Sequence, residues 1–472
     1  MPAFKRASKI KTITLPQRSA IVAAETDVLV IGGGPAGLGA ALGAAHEGAQ
    51  VILAEHYGFL GGTATAALVT IMTSYYTEHH RAERLGVDSL LPTDHGAGKP
   101  VIEGVLATLV HRIECAGGAF MPSIKTGYTV PFDPEVFKLV AQDMLDEAGV
   151  HMLFHAFASG IVGEERTEGV IFETKSGPVV IRAKVIIDCT GDGDIAASAG
   201  APYELGRHKD GLVQPMTLMF RMGDYDKDAF SEYIKKHPNE WRGVHGLWDL
   251  IRQATETGEL KLPREDILFF ATPHGKELII NSSRVKKVLG IDVWDLTYAE
   301  WLGRRQIHEI ATFLKKYVPG FGKSYILQAG TQIGIRETRR IIGDYKLTED
   351  DILSAKKFDD VIARGTYPID IHNPKGKGTI LKRLPAGEAY DIPLRCLIPK
   401  NTENILVAGR CISGTHEAHA SYRVMPICVA TGQASGVCAA LAAKHNIIPR
   451  QVNIRDVQKS LKNQKANLRD RT

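Results

Sequence analysis

The sequence lacks the marks of several protein classes. Among its 472 residues, no uninterrupted apolar run reaches the roughly 18 residues that a membrane-spanning helix needs. The formal net charge is only +4, too small to indicate nucleic acid or an anionic membrane as a partner. Internal repeats and low-complexity tracts are also missing. What remains is an ordinary globular composition in a chain long enough for two or three domains.

Cysteine is scarce and is not spaced for metal or redox chemistry. The six cysteines include no CxxC or CxxxxC pair, which argues against the usual zinc, iron–sulfur and dithiol sites. We therefore expect no bound metal. His79 and His80 are adjacent, and adjacent residues on a helix or strand do not face one site. We favour a surface or substrate-loop role for these two histidines.

The N-terminal stretch is basic but has no apolar segment like that of a secretory signal. Its low acid content fits a mitochondrial presequence, whereas residues 12–16 are more typical of a short strand or arm. On this basis we expect a cytoplasmic protein.

The most informative stretch is residues 27–62, which combine a strand, a glycine-rich turn and a helix. The apolar run Val28–Ile31 predicts a buried parallel strand. It leads directly into Gly32-x-Gly34-x-x-Gly37 and then into an Ala/Gly/Leu helix. This order predicts a βαβ unit that binds a dinucleotide.

Each feature of such a unit answers a physical requirement, and these residues satisfy those requirements. Gly32 permits the tight turn, Gly34 lets the backbone approach a pyrophosphate, and Gly37 lets helix and strand pack closely. The helix N-terminus offers free N–H groups and a partial positive charge to phosphates. Glu55, which follows a second apolar run at 51–53, can accept hydrogen bonds from ribose hydroxyls and disfavours a 2′-phosphate. NADP is therefore disfavoured, and the βαβ unit alone leaves NAD and FAD open.

The rest of the chain predicts a split organisation of the α/β class. Residues 20–200 and 391–445 have the style of a Rossmann-like nucleotide-binding domain built from both ends of the chain. Residues 201–390 mix strands with long amphipathic helices, and we interpret them as an inserted α+β substrate or cap domain. Residues 446–472 are polar and are predicted to form a frayed or peripheral C-terminal tail.

Hydrophobic periodicity places the main elements. Three strands are predicted between residues 150 and 188, the last ending in a small-residue turn. Further predictions are helices over 101–117, 134–148, 298–317 and 426–444, and a buried strand over 405–408.

Five sequence blocks carry a resemblance to a known family. The second strand is followed by EHYGFLGGTAT at 55–65, and later blocks are DCTGDGDIAASAGAPYELGR at 188–207, IGIRETRRIIGDYKLTEDD at 333–351, FDDVIARGTYPIDIH at 358–372 and ILVAGRCISGTHEAHASYRVMP at 405–426. On these blocks the chain resembles the FAD-dependent oxidoreductase family of the glutathione-reductase-like flavoprotein superfamily. The resemblance extends from about residue 26 to residue 444.

The resemblance implies FAD as the cofactor and assigns residues to it. The implied contacts run from the pyrophosphate and adenosine to the flavin end, where the helix that begins near Met425 would face flavin N1 and O2. The residues implied to bind FAD are Gly32, Gly34, Pro35, Ala36, Gly37, Glu55, His56, Gly62, Thr63, Ala64, Thr190, Gly191, Asp192, Gly409, Arg410, Val424 and Met425.

The sequence contains one dinucleotide fingerprint and no second one. A separate NAD(P)H domain is therefore not expected. Electrons would pass directly between the flavin and a substrate, oxygen, a quinone or a protein carrier.

Four residues are candidates for catalysis. His416 and His419 precede the flavin-facing helix and could transfer a proton near neutral pH, although His416 could equally only fix its loop. Arg423 could stabilise an oxyanion or neutralise reduced flavin. If residues 335–342 are helical, Arg336 and Arg340 share a face and could bind a substrate carboxylate, the alternative being an ion-pair network between domains.

These expectations combine into one leading function with alternatives. We expect an FAD-dependent oxidoreductase that transfers a hydride between flavin N5 and a small organic substrate, as a dehydrogenase, oxidase or reductase. The alternatives are an FAD monooxygenase and a flavin-containing electron-transfer subunit. Cys411 could attach the flavin covalently. Expected partners are the substrate and an external electron donor or acceptor, with no nucleic acid and no membrane insertion, and the chain could form a homodimer.

Overall fold

The structure is a computed structural model that describes residues 12–14, 16–77, 90–91, 98–123, 126–163, 166–375 and 378–469. His79 and His80 lie outside the described residues.

The described strands, in chain order, are β1 Ile21–Ile31, β2 Val51–Ala54, β3 Ile71–Met72, β4 Val130–Pro131, β5 His151–Leu153, β6 Phe157–Val162, β7 Gly169–Thr174, β8 Gly177–Asp188, β9 Tyr203–Leu205, β10 Phe220–Gly223, β11 Trp241–Arg242, β12 His245–Gly246, β13 Ile267–Ala271, β14 Glu277–Ile280, β15 Tyr325–Ala329, β16 Arg339–Ile341, β17 Val361–Gly365, β18 Ile369–His372, β19 Thr379–Lys382, β20 Tyr390–Pro393 and β21 Ile405–Val407. The described α-helices are α1 Pro35–Ala45, α2 Val105–Cys115, α3 Pro134–Glu147, α4 Asp194–Ser198, α5 Lys227–Lys236, α6 Trp248–Glu256, α7 Val293–Tyr317, α8 Glu349–Leu353, α9 His416–Tyr422, α10 Met425–His445 and α11 Ile454–Asn463.

The first sheet is mainly parallel and holds the first hydrophobic core. Strands β5, β2, β1, β8 and β21 pair in parallel, and β7 and β6 extend the sheet in antiparallel fashion. Residues 28–30 of β1 are completely buried, as the continuous apolar run predicts. Residues 150–188 form four strands rather than the predicted three, because the short segment 151–153 pairs with β2 at the edge. The result is a mixed α/β structure with a parallel sheet.

Glycines let the two apolar helices of this sheet approach unusually closely. A Cβ on Gly432 of α10 would lie 2.0 Å from the carbonyl oxygen of Ala36 in α1, and one on Gly436 would lie 2.0 Å from that of Ala40. On α1, a Cβ on Gly39 would lie 2.2 Å from the carbonyl oxygen of Val429. Because residue numbers rise together along both helices, α1 and α10 run parallel with their N-termini at the same end.

Helix α10 is long and apolar, but it belongs to the protein core. By length and composition it could cross a bilayer, but 94% of its apolar window is buried inside the protein. Its bounds extend the predicted helix 426–444 by one residue at each end.

A second hydrophobic core is built on an antiparallel sheet. This sheet has the strand order β11-β12-β13-β14-β10-β15. Phe220, Phe230, Phe269 and Phe321 are fully buried in its core. Helix α7 covers it and begins five residues before the predicted start at 298, because the Asp292 side chain caps it.

The two cores divide the chain differently from the predicted domains. The second core is formed by Leu90 and by residues between 216 and 335. Apolar residues between 341 and 392, which the sequence interpretation places in the insertion, pack into the first core. Residues 339–341 form strand β16, paired with β9, so the helix considered for residues 335–342 is not present.

The C-terminal segment packs more tightly than its polar composition predicts. Residues 446–472 include α11, in which Val457 and Leu461 are completely buried. Two apolar residues four positions apart suffice to fix one face of a short helix against the core.

Candidate functional site

A cavity of about 970 Å³ opens at the carboxyl ends of the parallel strands. Ile31, Ala54, Cys189 and Ala408 line it, and these residues end or directly follow β1, β2, β8 and β21. Ligands of open α/β sheets bind at this edge. Residues at the start of α7, from the second core, line the opposite wall.

The turn before α1 has the shape that a close backbone approach requires. Gly32 has φ of +100°, and a Cβ there would lie 2.5 Å from the carbonyl oxygen of Cys189. A Cβ on Gly37 would lie 1.7 Å from the carbonyl oxygen of Gly32. A Cβ on Gly62 would lie 2.9 Å from Cα of Gly34. Gly32, Gly34 and Gly62 line the cavity, whereas Gly37 supports the turn from behind.

Two helix N-termini without side-chain caps open into this cavity. Helix α1 begins after Gly34 and helix α10 after Val424, and neither has a capping side chain, whereas Asp133 caps α3. Their first N–H groups are therefore free for a ligand. Because Gly432 lies against α1's first turn, Met425 is seven residues nearer the open end, about 10 Å along the axis. The two anion-stabilising termini are thus staggered along the cavity.

Glu55 joins the glycine turn to the second strand. It is buried, and its carboxylate accepts hydrogen bonds from the backbone N–H of Gly33 at 2.6 Å and of Tyr57 at 2.9 Å. His56 Nδ1 lies 2.8 Å from Glu55 Oε1. Burial disfavours the charged imidazole, but the hydrogen bond and charge of Glu55 outweigh it and raise the pKa of His56. Both side chains line the cavity.

A network of charged groups follows β8. Asp192 Oδ1 accepts from Thr338 Oγ1 at 2.7 Å and from Arg410 Nη2 at 3.0 Å. Asp194 Oδ1 accepts from Arg339 Nη1 at 2.7 Å. Burial and the neighbouring Asp192 raise the pKa of Asp194 to about 6, against the effect of Arg339.

Fully buried Asp188 anchors this network from beneath. Its carboxylate accepts from the backbone N–H and hydroxyl of Thr190 and from the N–H groups of Ile195 and Ala196, so it caps α4. Burial raises the pKa of Asp188 although these hydrogen bonds oppose the shift.

The structure brings most of the predicted FAD-binding residues to one cavity. Those that line it are Gly32, Gly34, Pro35, Ala36, Glu55, His56, Gly62, Thr63, Thr190, Gly191, Asp192, Gly409, Arg410 and Met425. Gly37, Ala64 and Val424 do not line it but adjoin residues that do.

The cavity also offers polar groups that lack protein partners. Arg410 Nη1 is buried and has no hydrogen-bond partner in the described structure. Together with the two uncapped helix starts, it supplies donors suited to a pyrophosphate and a polar ring edge. The donor set therefore fits FAD.

Only one of the four predicted catalytic residues lines the cavity. Arg423, which ends α9 just before α10, lies on the wall. His416, His419 and Arg336 do not line it. Arg336 and Arg340 are not on one helix face, because the segment is extended, and Arg340 pairs with buried Glu337.

His416 and His419 are buried inside the first core. His416 Nδ1 lies 2.8 Å from Oε1 of Glu337, and this contact fixes the start of α9 against the segment that precedes β16. Burial lowers the pKa of His419 far below the ordinary value, and the charges of Arg340 and Arg423 add to the shift. His419 is therefore neutral at physiological pH.

Cys411 does not line the cavity and is completely buried. Burial raises the pKa of its thiol, which donates to the carbonyl oxygen of Ala408 at 3.5 Å. Elsewhere, His111, Glu114 and Cys115 approach within 4.8 Å of one another on the outer face of α2. Their spacing of three and four residues brings such side chains together on any helix.

Arginines from several segments gather beside Arg423, and two of them, Arg264 and Arg284, were missed from the sequence. We call Arg264, Arg284, Arg336 and Arg423 the arginine cluster. Burial acts most strongly on Arg336, followed by the charge of Arg423; Asp370 opposes them, and the charges of Arg264 and Arg284 add to them. These effects lower the pKa of Arg336 to about 9, so it stays charged at neutral pH. Arg264 and Arg284 come from the second core region and Arg423 from α9, so no local pattern unites them.

Tyr367, Asp370 and His372 lie on β18 or just before it and face the arginine cluster. Asp370 Oδ2 accepts from Tyr367 OH at 3.1 Å and lies 3.5 Å from His372 Nε2 and 3.7 Å from Arg423 Nη2. Burial lowers the pKa of His372 to about 4, although Asp370 opposes the shift. The block FDDVIARGTYPIDIH contains all three residues, so the family resemblance could have indicated them.

The chain matches a protein-family model over most of its length. A family model described as FAD dependent oxidoreductase matches residues 27–461. No curated protein matches the chain. Among solved structures, a geranylgeranyl bacteriochlorophyll reductase-like protein from Thermoplasma acidophilum is 13% identical with a TM-score of 0.43, over 94% of this chain and 83% of that one. A p-nitrophenol 4-monooxygenase from Pseudomonas putida is 9% identical with a TM-score of 0.45, over 93% and 84%. A flavin-dependent brominase is 11% identical with a TM-score of 0.43, over 93% and 83%.

Proposed function

The chain belongs to the FAD dependent oxidoreductase family, and we propose that it catalyses hydride exchange between FAD and a small organic substrate. One observation carries this proposal: a single cavity extends from the glycine turn before α1 to Arg423, beside a group of ionisable side chains. When bound, FAD supplies the two-electron chemistry.

FAD would be held by the part of the cavity that we call the nucleotide end. It comprises the glycine turn at 32–37, Glu55, the segment Thr190–Asp192 and Arg410. Glu55 has carboxylate oxygens on the cavity wall for ribose hydroxyls. The free N–H groups of α1 and the unpaired Arg410 Nη1 suit the pyrophosphate.

The protein would handle protons at β18 rather than in α9. Burial raises the pKa of Tyr367, which keeps its proton at neutral pH and donates to Asp370 Oδ2. His372 is neutral at that pH and offers a second ring nitrogen near Thr379, whose Oγ1 lies 3.3 Å from Nδ1. Neither Tyr367 nor His372 lines the cavity, but Asp370 connects both to Arg423, which does. We therefore assign proton handling to Tyr367 and His372, and we assign His416 and His419 to positioning α9.

The second core would exclude water from the reacting groups. Residues of α7, including Leu296 and Glu300, cover the cavity opposite the parallel sheet. Glu300 Oε1 accepts from the backbone N–H of Ile333 at 2.6 Å and so ties α7 to the segment that leads to Arg336. A dry, closed site strengthens the electrostatic interactions made inside it.

The first experiment is an absorbance spectrum of purified protein before and after heat or acid precipitation. Flavin bands at about 375 and about 450 nm that appear in the supernatant would support non-covalent FAD. Anaerobic mixing with candidate substrates should then bleach the bands. A colourless protein that takes up no added FAD would contradict the proposal.

Two other outcomes would favour one of the alternative functions over hydride exchange with a small substrate. Bleaching only by a reduced protein partner would favour an electron-transfer subunit. Oxygen incorporation into the substrate, measured by mass spectrometry with ¹⁸O₂, would favour a monooxygenase.

A further inference from the structure

The arginine cluster carries more positive charge than the carboxylates of the described residues balance. Arg264 is paired with Asp266 through a donor–acceptor distance of 3.0 Å, and Arg423 lies 3.7 Å from Asp370 Oδ2. In the described structure, Arg284 and Arg336 form no ion pair with a carboxylate and instead donate to backbone and hydroxyl oxygens. Four arginines and two aspartates leave a net charge of +2.

The unbalanced charge lies in a largely buried region, where an unpaired charge is destabilising. Arg284 is 6% exposed, and Arg423 keeps 13% of its side chain exposed. Burying an uncompensated charge is strongly unfavourable unless a partner supplies the opposite charge. His372 and Tyr367 cannot supply it, because both are neutral at physiological pH.

Arg336 has donors left over for such a partner. Its Nη1 donates to the carbonyl oxygen of Pro215 and to Oγ1 of Thr217, each at 2.6 Å. In the part of the chain that the structure describes, its Nε and Nη2 have no hydrogen-bond partner, and the residue is only partly buried. Arg423 Nε is buried without a described partner as well. Arg336 thus offers a free side of its planar fork that matches a carboxylate, whereas Arg423 adds a single N–H, because its Nη2 donates to the carbonyl oxygen of Asp370 at 3.3 Å.

The cluster is continuous with the proposed cofactor cavity. Arg423 lines that cavity and lies next to the start of α10. Arg336 follows Ile335, another lining residue. A ligand shared by Arg336 and Arg423 would therefore adjoin the cavity at Arg423, beside the start of α10.

We propose that the arginine cluster binds a substrate that carries two carboxylates, through Arg336 together with Arg284 or Arg423. This inference rests on the proposed function, because it names the substrate class of the same site. Two carboxylates balance the charge of +2. A carboxylate also makes the C–H bonds beside it more acidic, which suits an exchange that moves a hydride and a proton.

The test is calorimetric titration of FAD-loaded protein with malonate, succinate and glutarate. Butyrate and 1,4-butanediol serve as probes with one and no carboxylate. We expect at least one dicarboxylate to bind about tenfold or more tightly than butyrate, and the diol not to bind. Inorganic phosphate is titrated in parallel.

Matched arginine variants locate the site. Arg336→Met should weaken dicarboxylate binding by about 10- to 100-fold, as expected for lost charged hydrogen bonds, while FAD content is retained. Arg336→Lys keeps the charge but not the fork and should give a smaller loss. Arg305→Met is the control, because Arg305 is exposed on α7 and stacks 4.5 Å above Trp301. Should Arg336→Met misfold, Arg336→Lys and Arg284→Met provide the same comparison.

The outcomes separate this inference from the proposed function. Equal binding by wild type and Arg336→Met, dicarboxylates binding no better than the diol, or binding of phosphate alone would overturn the dicarboxylate site even if FAD is bound. A protein without FAD would contradict the proposed function, and the same titration would still test the arginine cluster. Loss confined to the Arg336 and Arg284 variants would support it.

Discussion

The nucleotide end and the arginine cluster meet at the cavity wall through Arg423 but are built by different means. At the nucleotide end, the backbone forms the surface: Gly32 and Gly37 allow contacts that no side chain could, and α1 presents free N–H groups. At the arginine cluster, side chains form the surface: Arg284 and Arg336 extend from segments that are distant in sequence.

This difference decides what a sequence can reveal. A backbone-built site constrains residue type at fixed spacing within one turn, because only glycine fits at Gly32 and Gly37. A side-chain-built site constrains only the final position of a charged group. Many sequence positions can deliver an arginine to one place, so the pattern is not local.

A substitution at Gly37 is expected to have the largest effect, and it tests whether the backbone forms the nucleotide end. Gly37→Ala places a methyl group 1.7 Å from the carbonyl oxygen of Gly32. The turn must open, so we expect loss of FAD binding and a decrease of about 3 kcal/mol in the free energy of unfolding. Urea denaturation and FAD absorbance measure the two effects.

Gly322→Ala is the matched control. A Cβ at Gly322 would meet nothing within 4 Å, and this glycine does not have positive φ. We expect wild-type FAD content and a change within about 0.5 kcal/mol. Similar behaviour of the two variants would refute the idea that backbone proximity builds the nucleotide end.

For this physical reason, the sequence predicted the strand, the glycine turn and the acid that meet at this end of the cavity. The strand at 28–31, the turn at 32–37 and the acid at Glu55 all lie within 28 consecutive residues, counting from 28 to 55. The capped helix α3 and the apolar helix α10 were also predicted, since caps and periodicity are local signals.

The rest depended on long-range packing. The predicted insertion ended at 390, whereas residues beyond 341 join the first core, because β17 pairs with β20 and packs against α10. His416 and His419 were predicted to be catalytic from their closeness in sequence to α10. They lie in the core instead of on the cavity wall, and only the three-dimensional arrangement distinguishes the two positions.

Glu55 tests whether the nucleotide end needs any side chain. Glu55→Ala removes the acceptor of the Gly33 N–H and the group expected to hold the ribose. We expect FAD affinity to fall by about 100-fold, as for the loss of two hydrogen bonds to a charged group. Quenching of flavin fluorescence measures the dissociation constant.

Glu55→Gln is the conservative variant for this prediction, and Glu25→Gln is its control. Glu55→Gln keeps the shape and should cause a smaller loss, whereas Glu25 is 72% exposed and its variant should bind FAD like wild type. Wild-type affinity in Glu55→Ala would mean that the backbone alone holds the nucleotide.

His372 gives the pH signature of the arginine cluster. Burial lowers its pKa to about 4, so between pH 6.5 and 4 the unfolded chain binds a proton that the folded protein does not. The free energy of unfolding should therefore fall as the pH falls through this window. His372→Asn should remove about 2 kcal/mol of that fall, measured by urea denaturation at several pH values.

His151→Asn, on the exposed face of β5, is the control and should follow the wild-type profile. Parallel profiles for wild type and His372→Asn would contradict a buried neutral imidazole beside the arginines.

Asp194, beside the nucleotide end, is expected to give the opposite pH dependence of stability and the smallest effect. Burial and the neighbouring Asp192 raise its pKa to about 6, so between pH 4 and 6 the folded protein holds a proton that the unfolded chain has lost. Stability from this group is thus present at low pH and is lost as the pH rises. Because the side chain is 47% exposed, solvent screening should keep the effect of Asp194→Asn below about 1 kcal/mol. If the two ends are independent, the double variant with His372→Asn should show the sum of the two changes, and a large deviation from the sum would show that the two ends are coupled.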